Sequence, residues 1–350
     1  MTSDRLRRDA GSFIADSLAD GIACPEFGAI MPPTMFERAR RWQRRFHAHG
    51  FAGIDWPVEY GGRGLTNTHT AVRNEECARS GVAAYMNFQR IVLAGAAIRK
   101  FGTPEQQAHY LDATLRADIV WCQLFSEPGA GSDLASLTTR AERDGDGWRV
   151  TGQTVWSSTA QLAQHAILLA RTDPAEPGHR GISFFLFDMV APGVEVRPIP
   201  QMTGDSEFCE VLLDRAPVAA DDLLGPLRGG WTVDTSVLAD ERASVGAASI
   251  ALQRRQSAMA ALSGDPSVRD RASVLQADGR AIASLLGRGG GDPTLGPVTK
   301  LARTELDAVI TALAVDAAVP TACSSARRPS RSSTRPACGS RAAPARSSAT

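Results

Sequence analysis

Residues 137–152, LTTRAERDGDGWRVTG, set Asp144-Gly145-Asp146-Gly147 between two segments of alternating polar and apolar character. Asp-Gly at such a point supplies the backbone angles of a tight hairpin turn. Around it lie short apolar runs broken by turn residues: IVWCQLF at 119–125, HAILLART at 165–172, GISFFLF at 181–187 and EFCEVLLD at 207–214. No helical stretch separates them, so residues 119–226 are expected to form a central antiparallel sandwich or barrel rather than a βαβ sheet.

The flanks change period. From residue 34 to about 118 the spacing is helical, which makes 1–118 an N-terminal helical domain. Pro33-Thr34 precede FERARRWQRRFHAHG, which stops at Gly50 as helices stop at a C-terminal glycine. Thr103-Pro104-Glu105-Gln106 reads as a second start, with Thr103 as cap, Pro104 at the first helical position and Gln106 reaching back. Residues 67–80 and 84–100 read as two more helices. Between the first two helices, Asp55-Trp56-Pro57-Val58-Glu59-Tyr60-Gly61-Gly62 reads as a packed connecting loop.

After Gly229-Gly230 the helical period returns, with helices near 231–262, 267–286 and 298–318 broken at Gly264-Asp265-Pro266 and at RGGGDPTLGP. Residues 227–318 are thus an incomplete C-terminal helical bundle. Residues 321–350 contain no Leu, Ile, Val, Met, Phe, Lys, Asp or Glu and cannot build a core, so 319–350 is expected to be a disordered tail. Two origins compete: a reading frame lost near 320, and a basic interaction tail. The first is favoured because helix 298–318 is otherwise left without packing partners.

Composition narrows the function classes. With 43% hydrophobic and 22% charged residues the chain is globular, and no apolar run approaches the ~18 residues of a membrane span. The first residues lack an apolar signal core, which points to the cytoplasm. The six arginines of 321–350 leave 32 basic against 38 acidic residues before them, a net charge of −6 that disfavours a nucleic-acid groove. Cysteines 24, 77, 122 and 209 are irregularly spaced without any C-x-x-C, and His47 and His49 point to different helix faces, so no metal site is expected. Buried, reduced thiols are the expected state.

Four features could carry chemistry. Ser126-Glu127-Pro128-Gly129-Ala130-Gly131-Ser132-Asp133 follows a buried strand; it is either an ordinary Pro/Gly turn or a loop whose small residues and free amides admit a bulky anionic ligand. It lacks the G-x-G-x-x-G and Walker patterns. Trp156, before Ser157 and Ser158, is either core or a stacking surface for a planar ring. Glu241 lies in the ladder Val237, Glu241, Val245, Ala248, Leu252, and Arg242 beside it diverges around the helix. A carboxylate on that stripe is either part of a solvated Asp240-Glu241-Arg242 triplet or a desolvated base with a raised pKa.

In this order the pieces resemble the acyl-CoA dehydrogenase family from about residue 35 to 315. The motifs that carry the resemblance are WPVEYGG, WCQLFSEPGAGSD, GQTVWSS, GISFFLFDM, PGVEVRPI, LLGPLRGGW and LADERAS. The resemblance implies a helical N-terminal domain, a β-barrel-like centre and a C-terminal helical bundle. It also implies FAD, with Gln123, Phe125, Ser126, Gly131 and Ser132 lining flavin and acyl-thioester, Trp156 packing at the isoalloxazine and Ser158 bonding it. It implies a glutamate that removes the α-proton of an acyl-CoA while the β-hydrogen leaves as hydride to flavin N5. One branch places that base where Glu241 stands, with Arg242 touching substrate; others place it near the chain end. Further implications are a role in fatty acid or lipid metabolism, an electron-transfer flavoprotein as acceptor, and a homo- or hetero-oligomer, dimer or tetramer. Two alternatives share the fold: a flavin-dependent monooxygenase, and a non-catalytic subunit of a heteromeric dehydrogenase. Thr154 stands where the family commonly has lysine, and nothing after residue 320 matches the family's last helix.

Overall fold

The computed structural model describes residues 1–27, 30–86, 88–202, 204–247, 266–288 and 295–318. The expectations for residues 248–265 and for the 319–350 tail lie outside the described residues, and of Glu241 and Arg242 the backbone alone is described.

Eight helices are described: α1 (Ser3–Ala19), α2 (Phe36–Ala48), α3 (Asn67–Arg79), α4 (Phe88–Phe101), α5 (Pro104–Leu115), α6 (Gly230–Ala247), α7 (Pro266–Arg288) and α8 (Leu295–Ala318). Helix α1 was not foreseen. Its buried stripe of Leu6, Ala10, Phe13, Ile14 and Ser17 is thin among charged neighbours, so tertiary burial rather than a broad apolar face holds it. Phe13 stacks on Trp42 with centroids 5.6 Å apart, and Trp42 donates its indole N–H to the Ala83 carbonyl at 2.7 Å.

The foreseen helix signals act as written. Helix α2 gives way to Gly50 at φ +72°, and α5 carries the reciprocal Thr103/Gln106 capping box with Pro104 inside it. Two arginines of α2 are spent on carbonyls, Arg38 on Ala23 at 2.7 Å and Arg40 on Ala117 at 2.9 Å, while Arg44 and Arg45 pair with Asp118 and Asp20. Helix α8 begins three residues before the expected start, because Pro297 fits the first turn, where its missing N–H leaves no bond unmade.

The loop before α3 is the packed connector its sequence suggests. Trp56 is buried, and a Cβ added at Gly95 on α4 would lie 2.5 Å from its ring. Gly95→Ala is therefore expected to destabilise the fold by about 1–3 kcal/mol through overpacking, despite alanine's better helix propensity. Denaturant unfolding of the two proteins checks this.

Eight strands form the centre: β1 (Trp121–Leu124), β2 (Arg140–Asp144), β3 (Gly147–Ser158), β4 (His165–Arg171), β5 (Ile182–Asp188), β6 (Val194–Ile199), β7 (Phe208–Val218) and β8 (Leu223–Leu224). Their order is β6-β7-β3-β2-β4-β5-β8, with β1 beside β4. The 144–147 hairpin closes as expected, with Gly145 at φ +59°. The sheet is not wholly antiparallel: β1 runs parallel to β4, with Trp121 opposite His165. The long excursion through the 126–133 loop and the hairpin provides the crossover that a parallel neighbour requires. Strand β6 was not among the expected strands, because its weak alternation and Pro198 suit an edge.

Strand alternation separates two cores. Ile167, Leu169, Phe184 and Leu186 face the core shared with the helices, whereas Leu168, Ala170, Phe185 and Phe187 face a second core with Trp148. Helix α6 packs across α4 and β5, and α7 and α8 join through Leu275, Ile282, Leu306 and Ile310. No described helix is long and apolar enough to cross a membrane.

Where α5 meets the sheet, His165 lies between Tyr110 and Trp121, with ring centroids 5.4 Å from each. Burial lowers its pKa against an opposing pull from Asp188, and His109 adds to the lowering. The folded state thus holds the ring neutral, and the unfolded chain binds the proton more readily. The stability this contributes is present above the ordinary histidine pKa and is lost as pH falls through it. Between pH 7 and 5 the melting temperature should fall more in the parent protein than in His165→Phe. Equal falls in the two would remove His165 from the account.

Candidate cofactor and active site

Trp156 sits at a discontinuity in β3. The β3/β7 register shifts between Thr154 and Ser157, and Trp156 occupies that bulge at φ +60°. Left-handed backbone in a bulky residue is strained and must be held by its surroundings. The bulge turns the indole out of the sheet, leaving it 61% exposed, with the Phe208 ring set edge-on to it at 5.9 Å. That exposure removes the core reading and leaves a face of the ring open to solvent.

The 126–133 loop is tied to the same strand. The Val155 N–H donates to the Ser126 carbonyl at 2.8 Å, next to Trp156. Glu127 and Ala130 close a small turn by exchanging backbone bonds of 2.9 and 3.1 Å. A Cβ at Gly129 within this turn, or at Gly131 just after it, would meet nothing within 4 Å, and Ser132 is exposed. Neither glycine has a positive φ that would demand its kind. Internal packing therefore explains neither glycine, and the lack of a side chain leaves the loop backbone accessible from outside. No bond among the described residues engages the N–H of Gly129, Gly131 or Ser132.

Glu127 itself is buried. Its carboxylate accepts from the Thr138 amide at 2.8 Å, the Thr138 hydroxyl at 2.7 Å and the Thr139 amide at 2.6 Å. Burial pushes its pKa up, but the hydrogen bonds from Thr139 and Thr138 outweigh it and hold the carboxyl below its usual range.

The remaining expected site residues are distributed unevenly. Gln123 is half-buried on β1, while the Phe125 ring is buried against Phe184 at 5.8 Å, so only its backbone can border the loop. Ser158 is buried at the end of β3, where Thr159 turns left-handed at φ +55°. Thr154 is fully buried, 3.3 Å from the Ser157 hydroxyl. Glu241 and Arg242 lie on α6, three helical turns beyond Gly230. Phe208 and the clamping role of Glu127 were missed: an aromatic beginning a strand and an acid in a turn carry no signal until their neighbours are known. The four described cysteines are buried and in no disulfide, and burial pushes Cys24 and Cys77 up to about 11, so those two are poor nucleophiles. No cluster able to hold a metal occurs among the described residues.

A helical domain, a two-sided sheet with an outward tryptophan beside an open glycine loop, and a second helical layer define a helix–sheet–helix architecture. Family models agree: the N-terminal domain of acyl-CoA dehydrogenase matches residues 4–118 and its middle domain residues 122–216. The chain belongs to the acyl-CoA dehydrogenase family.

Among relatives, acyl-CoA dehydrogenase IpdE1 of Mycobacterium tuberculosis is 41% identical over 241 residues, covering 68% of this chain and 63% of its own length. Acyl-CoA dehydrogenase FadE34 of the same organism is 40% identical over 248 residues, 70% of this chain and 34% of its own. The chain thus spans less than two thirds of the curated relatives it matches. Among solved structures, the Tcur3481-Tcur3483 steroid ACAD superposes with TM-score 0.69 at 28% identity, over 89% of this chain and 80% of that one. The ChsE4-ChsE5 complex from Mycobacterium tuberculosis gives 0.73 at 26%, over 91% and 85%.

The family is generally FAD-dependent, and the residues present fit a flavin. An exposed indole face offers stacking area, and the backbone at Gly129 and Gly131 borders open space with amides that no described residue engages.

Proposed function

We propose that the chain is the flavin-binding part of an FAD-dependent acyl-CoA dehydrogenase that oxidises the Cα–Cβ bond of an acyl-CoA thioester. The observation that carries this reading is the outward Trp156, held at φ +60° beside the open 129–132 turn. Bound FAD would supply the hydride acceptor for the substrate's β-hydrogen. The chain's own residues bind and orient: Trp156 stacks, Ser158 and the 126–132 loop hold polar edges, and Gln123 with the Phe125 backbone borders the acyl-thioester. Glu241 takes the α-proton and Arg242 contacts the substrate. An α-proton of a thioester is weakly acidic, so the carbonyl needs preorganised donors, each worth about 3 kcal/mol.

The acyl group is a steroid-derived side chain on this reading, because a structural relative at 28% identity is a steroid ACAD. The acceptor of the electrons is an electron-transfer flavoprotein, and the working unit is an oligomer. Exposed Val298, Leu301 and Val309 on α8 and Val274 and Leu285 on α7 favour partner contact. The test is the visible spectrum of the purified protein with added FAD, titrated with straight-chain and steroid-side-chain acyl-CoA thioesters. Anaerobic bleaching by the latter alone supports the assignment. No flavin uptake, or uptake without bleaching by any thioester, defeats it.

A further inference from the structure

Glu127 has a task that neither the turn nor the core requires. The 127–130 turn closes through its own backbone bonds, so it would form with almost any residue at that position. Burying a carboxylate there is costly, and no ion pair among the described residues offsets it. Three donors do, and all three come from Thr138 and Thr139 at the approach to β2. Charge-assisted bonds of this kind are short and directional, so they fix aim as well as hold.

The loop is consequently pinned at two points on different strands. Ser126 is bonded to Val155 on β3, beside Trp156, and Glu127 is bonded to the chain entering β2. Between Glu127 and Leu134 the segment carries the free amides of Gly129, Gly131 and Ser132. We propose that Glu127 is a positioning residue that holds these three amides in fixed relation to the Trp156 ring, so that a flavin meets a preformed acceptor-binding edge.

The inference rests on the flavin reading above, and its test separates the two. In Glu127→Gln the side chain keeps its volume but sets an NH2 donor where an acceptor stood, so two donors compete. Amide hydrogen exchange, which needs no flavin, is expected to quicken at Thr138, Thr139 and Ala130, whose amide closes the turn, by at least about ten-fold, the loss of one charge-assisted bond. The FAD dissociation constant should rise by a similar factor. Thr138→Val removes one hydroxyl donor and keeps the amide, so a rise of only about three-fold is expected. Ile14→Val, in the α1 core remote from the loop, serves as a control for general loss of stability, compared at matched distance below each melting temperature.

Exchange in Glu127→Gln that stays at the parent rate, or an FAD constant within about two-fold of the parent, overturns the proposal. So does an equal loss of FAD in Ile14→Val. A parent protein that takes up no FAD would sink the functional reading, and the exchange measurement would still decide whether Glu127 pins the loop.

Discussion

Glu241→Gln is expected to leave FAD binding intact and to slow bleaching of the flavin band by acyl-CoA at least ~100-fold, the lower range assigned to general-base catalysis. The exchange preserves volume and hydrogen bonding on α6 while removing proton affinity, so a loss in bleaching with unchanged flavin content isolates the proton transfer. The helix that bears Glu241 is anchored firmly. The Arg228 amide donates to the Ser183 hydroxyl at 2.8 Å, and a Cβ at Gly230 would lie 2.6 Å from the Ser183 carbonyl carbon. A loss of only a few-fold would assign the base to another carboxylate.

The second large effect is expected at Trp156, where stability and binding should part company. Trp156→Gly removes a ring that is 61% exposed and therefore contributes little to the core. It also relieves a left-handed backbone that costs a non-glycine residue about 1–2 kcal/mol, against about 0.5–1 kcal/mol for glycine's greater freedom when unfolded. Folding stability should change by less than about 1 kcal/mol, whereas FAD should bind at least about ten-fold more weakly for want of a stacking face. Trp156→Ala should lose the flavin likewise without the relief of strain. Flavin titration beside thermal unfolding checks both, and undiminished FAD occupancy would move the site away from β3.

Much of this arrangement was readable in the chain because it depends on local chemistry. Thr103, Pro104 and Gln106 cap a helix with groups no more than three residues apart, Gly50 ends one by its own backbone freedom, and 144–147 closes a hairpin within four residues. Helix α1 was missed because its burial depends on distant partners: Phe13 packs on Trp42, Phe46 and Phe51, more than twenty positions away, and the helix lies against α3. Strand β1 was foreseen as a strand but not as parallel, since its partner β4 begins 44 residues later.

The site divides on the same line. Residue type and order alone determined that Ser126–Asp133 is a loop of small residues, that Trp156 stands on a strand and that Glu241 falls on a helix, because each follows from local periodicity and composition. Only the tertiary structure decided that Trp156 faces outward, because the bulge that turns it arises from the register with β7. It alone decided that Gly129 and Gly131 border open space, and that Glu127, an acid in a turn, is buried under three donors from the approach to a neighbouring strand. Exposure and burial are properties of what lies across a gap, and no run of adjacent residues encodes its own neighbours in space.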